Sequence, residues 1–401
     1  MDKLPDALRS ALGPALRPAL RPDRFGPVYP SAPRILTTHD FTQASVPAGY
    51  NFTSSGGKTY FKADGLMYTS AANEWPLEFD PVTHAVLGRS IWEARQNVCK
   101  YSADLTNAAW VKTSCTAALT QTNLFGVANA ASTLTATAAN ATCKQTITLT
   151  ATAVPSIYLK RITGTGTVNI SRDGGTTLVP VTLTSNWQRF FIASASVTNP
   201  VFTIQIVTSG DAIGVCGAQM ETLAFSGACA YAGPLIPTTS AFVTRQAETC
   251  VFTGLSTLAF NASQGTLALH GIAPAALNLT SFDHIASLSD GTGNNTIRLY
   301  LAAAAAAHVI YASGGVVQSN VAPGSAAFGA PVTLACSWSP NNVASALNGA
   351  AAVTASVFTV PPFTQIELGN QTGTAGRGWN GIISKLVYGS YQVPNATLPT
   401  L

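Results

Sequence analysis

Charge is what this sequence has least of. Asp, Glu, Lys and Arg make up 9% of its 401 residues, against roughly 25% in an ordinary globular domain. The formal net charge of +4 is too small to point to a nucleic-acid partner. Long apolar runs are missing as well. The blandest stretch, 301–307, stops at His308 and is far shorter than the ~20 apolar residues of a membrane-spanning helix. Asp2, Pro5 and Asp6 stand where the apolar centre of a secretory signal would form, so no signal peptide is expected. The cysteines are odd in number, at positions 99, 115, 143, 216, 229, 250 and 336, and none forms a C-x-x-C pair. That spacing argues against a zinc site, and the thiols are expected to be reduced and mostly buried in cores. No stretch keeps a 3.6-residue apolar period for three turns, which disfavours helices.

Catalytic signatures are absent in the same way. The chain has no G-x-S-x-G elbow, no H-E-x-x-H and no phosphate-binding Gly-Lys loop. Its histidines, His39, His84, His270, His284 and His308, are scattered. Glu74, Glu78 and Glu93 are the acids on which a glycosidase pair could draw, but a structural ion pair of Glu93 with Arg95 is the simpler expectation. The chain is therefore read as a non-enzyme that needs no cofactor.

What is present is 47% hydrophobic residues, set among Thr, Ser, Asn and Gly. Neutral, Thr-rich surfaces suit β-sheets, and they suit subunits packed against copies of themselves. The charge that exists is unevenly placed. Residues 1–34 carry Lys3, Arg9, Arg17, Arg21, Arg24 and Arg34 against Asp2, Asp6 and Asp23, which is most of the net excess.

That segment reads as an arm. Leu4, Leu8, Leu12, Leu16 and Leu20 recur every four residues. Pro5 can open a helix and Gly13 can close it. Pro14, Pro18 and Pro22 then forbid continuation, because each removes a backbone donor and clashes with the preceding turn. One short helix followed by an extended Pro-rich strand is expected. The arm has no core of its own and is read as an anchor on a neighbouring subunit, with Leu4, Leu8, Leu12, Arg17, Arg21 and Arg24 as its contacts.

The remainder reads as all-β: tandem β-sandwiches of jelly-roll type behind the Pro-rich arm. Residues 35–97 are expected to be a hairpin-rich connecting region. In it, Asp64-Gly65 lies between 59–63 and 66–68 and suits a tight type I′ turn. Residues 98–246 form a first sandwich with strands at 144–149, 156–161, 167–171, 179–183, 189–193, 201–207 and 213–219. Residues 247–401 form a second, with strands at 265–271, 284–289, 296–301, 308–312, 316–320, 332–337, 343–347, 365–369 and 381–388. The alanine run at 302–307 is expected to span a strand and its turn.

From Arg34 onward the sequence resembles a family of bacteriophage virion proteins. The resemblance is carried by Ile35-Leu36-Thr37-Thr38-His39-Asp40-Phe41-Thr42, Tyr60-Phe61-Lys62-Ala63-Asp64-Gly65-Leu66 and Glu78-Phe79-Asp80-Pro81-Val82-Thr83. Ile91-Trp92-Glu93-Ala94-Arg95-Gln96-Asn97, the run 101–111, Gly217-Ala218-Gln219-Met220-Glu221 and Ile236-Pro237-Thr238-Thr239 continue it. It covers about half the chain. It implies a tail-fibre or other structural protein with a module similar to carbohydrate-binding jelly rolls. The C-terminal third is similar to laminin-G and concanavalin-like lectin sandwiches, through residues 289–295, Leu347-Asn348-Gly349 and 379–383. Such lectins often hold calcium with clustered carboxylates. Here Asp290, Asn294 and Asn295 are the one candidate set, and a plain Asp-Gly loop is the expected reading.

The resemblance implies host-glycan binding, which requires flat rings to meet sugar C–H faces. Trp187 and Trp338 lie in strand-like stretches and are expected in cores. Trp379, after Gly376-Arg377-Gly378, is the exposed candidate, with Asn380 beside it. The expected protein is thus a virion component, assembled in the host cytoplasm and attached through residues 1–34 to another virion protein. It is a tail fibre or tail appendage, a homotrimer by the habit of fibres. The alternatives are a head fibre or capsid decoration protein and a polysaccharide depolymerase. No nucleic acid and no membrane insertion are expected.

Overall fold

A computed structural model of the chain describes residues 36–223, 231–275, 282–371 and 377–401. The arm, with Leu4, Leu8, Leu12, Arg17, Arg21 and Arg24, lies outside the described residues. Among those described, secondary structure is almost wholly strand, broken by short 3-10 turns at Leu255–Leu258, Ala303–Ala305 and Leu398–Thr400. No described helix is long and apolar enough to cross a membrane.

Strand formation follows the period-2 alternation of the sequence. In Val201–Ile206, Phe202, Ile204 and Ile206 are fully buried while Val201 and Gln205 are half-buried, as expected for a strand with one face on a core. The first sandwich has a sheet built on two long antiparallel strands, Thr150–Thr163 and Ala212–Leu223. Gln188–Phe191 flanks them on one side, and Ala131–Ala136 then Cys115–Gln121 on the other. The five-stranded sheet facing it runs Val179–Val181, Val168–Ser171, Val201–Ile206, Ala141–Thr146 and Val111–Thr113. Trp110, Ile157, Leu159, Phe202, Ile204, Val215 and Met220 belong to the core between them.

The second sandwich packs an eight-stranded sheet on a seven-stranded one. The first is centred on Pro331–Ser339, Gly265–Ile272 and Gly381–Gly389. The second runs Tyr50–Thr53, Thr249–Phe252, Gln365–Leu368, Asp283–Ser289, Thr296–Leu301, Ala306–Ser313 and Val316–Ser325. Leu267, Leu334, Cys336 and Trp338 from one sheet meet Leu288, Leu299, Val309 and Tyr311 from the other.

Residues 35–97 are not the separate connecting region the sequence suggested. Leu36–Asp40 and Val86–Ile91 both pair with Gly381–Gly389, and Tyr50–Thr53 pairs with Thr249–Phe252. These strands therefore complete the second sandwich, and the first is inserted between them and the rest of it. Turn residues mark where strands end, but partners this distant in sequence are chosen by shared apolar faces. The hairpin at Asp64-Gly65 forms, with Tyr60 opposite Tyr68. Its turn is looser than type I′. Gly65 alone of the two adopts positive φ, at 76°, and its N–H donates to Lys62 O at 3.0 Å while Lys62 N–H reaches Leu66 O at 3.1 Å. This is a turn closed by a glycine bulge.

The two sandwiches meet over buried charges. Lys58 is 1% exposed and sits 3.3 Å from Glu248 and 3.4 Å from Glu78. Its ammonium also donates to Ser90 O at 3.0 Å and Ser90 Oγ at 3.2 Å. Arg95, expected beside Glu93, is paired at 3.1 Å with Glu221, both fully buried. Glu93 instead accepts the Gly378 N–H, at 2.6 Å. A chain with so few charges places several of them at this joint, linking residues 58–95 to both sandwiches.

Candidate functional site

The hairpin of Thr59–Phe61 and Met67–Thr69 docks on the first sandwich. Met67 N–H donates to Leu124 O at 2.8 Å, and Thr59 Oγ1 donates to Leu235 O at 2.7 Å. Met67, Leu124, Tyr158, Cys216 and Leu235 form a small apolar cluster beneath, with Phe61 and Trp187 packed against it. Above that cluster a cleft of about 670 Å³ opens between the hairpin, the turn at 81–84 and the edge of the sheet at 186–189. This volume lies within the roughly 300–1,000 Å³ of small-ligand sites.

The lining combines rings with polar groups. Phe61, Tyr158 and Trp187 supply aromatic surface, Asn123, Asn186 and Gln188 supply amides, and Arg189 supplies a cation. Trp187 is half-buried, with its Nε1–H tied to Thr122 O at 3.2 Å. The Lys160 ammonium stands over the ring, 4.8 Å from its centroid. Arg189 lies over Tyr158 at 5.4 Å and donates to Ser156 Oγ at 3.0 Å. Its Nε is buried without a partner, and it belongs to none of the ion pairs among the described residues. Burial raises the pKa of the Tyr158 hydroxyl, so it stays protonated.

Asp64 is the carboxylate of this lining. Its Oδ1 accepts the Leu66 N–H at 2.9 Å and its Oδ2 accepts the Tyr68 hydroxyl at 2.7 Å. These bonds, the Leu66 one first, lower its pKa. Among the described residues that line the cleft Asp64 is the one carboxylate, whereas glycoside hydrolysis draws on a pair. The arrangement can instead stack an apolar ring face on Trp187 and bond hydroxyls to the amides.

Trp379 is not the exposed ring that its glycine-flanked position suggested. It is fully buried in the second sandwich's core, and its Nε1–H donates to Ile382 O at 3.1 Å. Asn380 is also buried, accepting the Glu93 N–H at 2.9 Å and donating to Gly378 O at 2.9 Å. Both residues lead directly into Gly381–Gly389 and serve the joint. Trp338 is buried as expected. Trp187, placed in a core by its strand-like surroundings, is the ring at the cleft. It precedes Gln188–Phe191, at the edge of its sheet, and only the sheet order reveals that edge.

Asp290, Asn294 and Asn295 form a self-contained loop. Asp290 Oδ1 accepts the Thr292 N–H at 2.9 Å, and Oδ2 accepts from Asn295 Nδ2 at 2.7 Å. Asn295 Oδ1 is taken by the Gly314 N–H at 2.8 Å. Both Asp290 oxygens and the Asn295 side-chain oxygen thus accept donors from within the loop and from Gly314. Of the six described cysteines, none is in a disulfide and only Cys115 is not fully buried.

No protein-family model matches the sequence, and no curated protein sequence matches it. Solved structures do share part of its shape. The carbohydrate-binding module, CBM40, of a Ruminococcus gnavus IT-sialidase, bound to alpha2,3 sialyllactose, is 17% identical. That likeness covers 37% of this chain and 85% of the module at a TM-score of 0.31. NanB sialidase from Streptococcus pneumoniae is 14% identical over 38% of this chain and 26% of its own, at 0.32. Trypanosoma rangeli sialidase is 11% identical over 38% of this chain and 25% of its own, at 0.31. Likenesses this low carry no argument about what this chain binds.

Proposed function

We propose that this chain is a structural protein of a bacteriophage particle, a tail fibre or tail appendage, that binds host-surface saccharides through the Trp187 cleft. The observation that carries the binding role is the half-buried Trp187 ring, set among amides and beside Arg189, which has no carboxylate partner among the described residues. The virion role is supported by the phage-like residues from Arg34 onward and by the neutral surface. Residues 1–34 attach it to another virion protein, and a homotrimer would multiply weak single sites into firm attachment. The reading is of a binding cleft and not a hydrolytic one, and Asp64 is the one carboxylate among its described lining residues.

Two measurements test this reading. Trp187→Ala should weaken binding to a host-glycan array about tenfold or more, ~1.4 kcal/mol, with the protein still folded by circular dichroism. Unchanged binding removes the cleft. In a reconstruction of the intact particle, density for this chain at the tail supports the fibre role. Density on the capsid lattice would make it a head fibre or decoration protein, and absence from the particle overturns the virion reading.

A further inference from the structure

The outer face of the seven-stranded sheet is unlike a solvated sheet face. In Thr296–Leu301, Ile297, Leu299 and Leu301 enter the core, so Thr296, Arg298 and Tyr300 turn outward. The register sets His284 and His308 on either side of Tyr300, and Ser287 beside Arg298. Tyr300 stacks on His308 with centroids 5.3 Å apart and receives the edge of Phe282 at 4.9 Å. Arg377 reaches the same place. Its carbonyl accepts the His284 N–H at 3.1 Å, its guanidinium lies 5.6 Å from the Phe282 centroid, and Nη1 donates to Gln371 Oε1 at 2.9 Å.

Among the described residues, four polar atoms here are buried without a hydrogen-bond partner: His284 Nδ1, Ser287 Oγ, Thr296 Oγ1 and Arg298 Nε. His284, Ser287 and Thr296 are each 1% exposed. Native proteins leave few such groups, and a cluster of them on one patch marks a place for a missing polar partner. The patch is also positive. Neither Arg298 nor Arg377 is in an ion pair among the described residues. The charge of Arg377 adds to burial in lowering the Arg298 pKa. Burial first, then both arginines, push His284 down to about 3, so its imidazole is neutral. The outward carboxylate of the next strand, Glu367, is already engaged by Ser289 Oγ at 2.7 Å and Gln365 Nε2 at 2.8 Å.

We infer that Arg298 and Arg377 form an oxyanion site, taking the carboxylate or phosphate group of a small ligand whose remaining polar atoms meet His284, Ser287 and Thr296. Planar guanidinium donors fit both anions, and Phe282 supplies an apolar wall beside them. This site is separate from the Trp187 cleft and does not depend on it.

The test is isothermal titration of the full chain, at low ionic strength, with sodium D-glucuronate and, separately, inorganic phosphate. Saturable binding of either supports the site, and the anion that binds identifies the ligand as an acidic sugar or a phosphate compound. Arg298→Gln and Arg377→Gln should each weaken binding tenfold or more, a loss that sugar held at the Trp187 cleft would not show. Wild-type protein gives a second readout that needs no folded variant. The bound anion should protect Arg298 and Arg377, but not Arg189, from phenylglyoxal, read by peptide mass spectrometry. No saturable binding of either anion overturns the proposal, as does binding that survives in both variants or that leaves both arginines unprotected.

Discussion

Lys58→Met should be among the most damaging single substitutions in this chain. Lys58 is almost fully buried, and its ammonium is shared between Glu248, Glu78 and two oxygens of Ser90. Met fills similar volume but leaves Glu248, 3% exposed, without its nearest cation. Removing one partner of a buried pair costs about 3–5 kcal/mol. At about 2 °C per kcal/mol for a large cooperative unit, Tm falls by roughly 6–10 °C. Lys58→Met combined with Glu248→Gln should recover most of that loss. It removes both charges, and Gln retains an oxygen for the Trp92 N–H that Glu248 accepts at 2.9 Å. The penalty should also depend on pH. Burial raises the Glu248 carboxyl above its ordinary 4.5, and Lys58 and Arg245 oppose that rise. A raised carboxyl binds more protons folded than unfolded. Its contribution to stability is therefore greatest below about 4.5 and is lost as pH climbs through the folded value. Without Lys58 the folded value rises further, so the variant should be penalised less at pH 5 than at pH 8. Circular-dichroism melts of the three proteins at both pH values decide it. A single-variant loss under ~1 kcal/mol, a double variant no more stable than the single, or a penalty that grows on acidification refutes the reasoning.

Gly271→Ala should cost about 3 kcal/mol or more. A Cβ there would stand 2.0 Å from Ile382 O, at the bulge where Gly265–Ile272 pairs with Gly381–Gly389, and a variant with wild-type Tm would contradict that geometry. Trp379→Ala should lose about 3–5 kcal/mol to a core cavity, measured by urea unfolding. It contrasts with Trp187→Ala, and equal losses in the two would contradict their different burial. Burial pushes the thiol of Cys143 up to about 12 and that of Cys216 up to about 11. Iodoacetamide on native protein at pH 8 should therefore modify Cys115 before the other described cysteines. Equal labelling of Cys143, followed by mass spectrometry, would count against the packing.

The sequence by itself determined where most strands lie. Val201–Ile206, Thr296–Leu301 and Gly381–Gly389 were legible because alternation and turn residues are local signals. Burial of most cysteines was legible as well, since a thiol without partners behaves as a small apolar side chain. Tertiary structure decided what those strands touch. Only the register across hundreds of residues shows Leu36–Asp40 and Val86–Ile91 completing a sheet with Gly381–Gly389. It also pairs Arg95 with Glu221, not the nearby Glu93. The two tryptophans exchanged roles on the same ground. Gly376-Arg377-Gly378 reads as a loop, yet Trp379 behind it enters the core, while Trp187 immediately precedes the outermost strand of its sheet. Whether a ring is wet depends on what packs over it, and that is fixed by residues far away in the chain. The Trp187 cleft and the Arg298–Arg377 patch are likewise made by segments whose nearness no local pattern encodes.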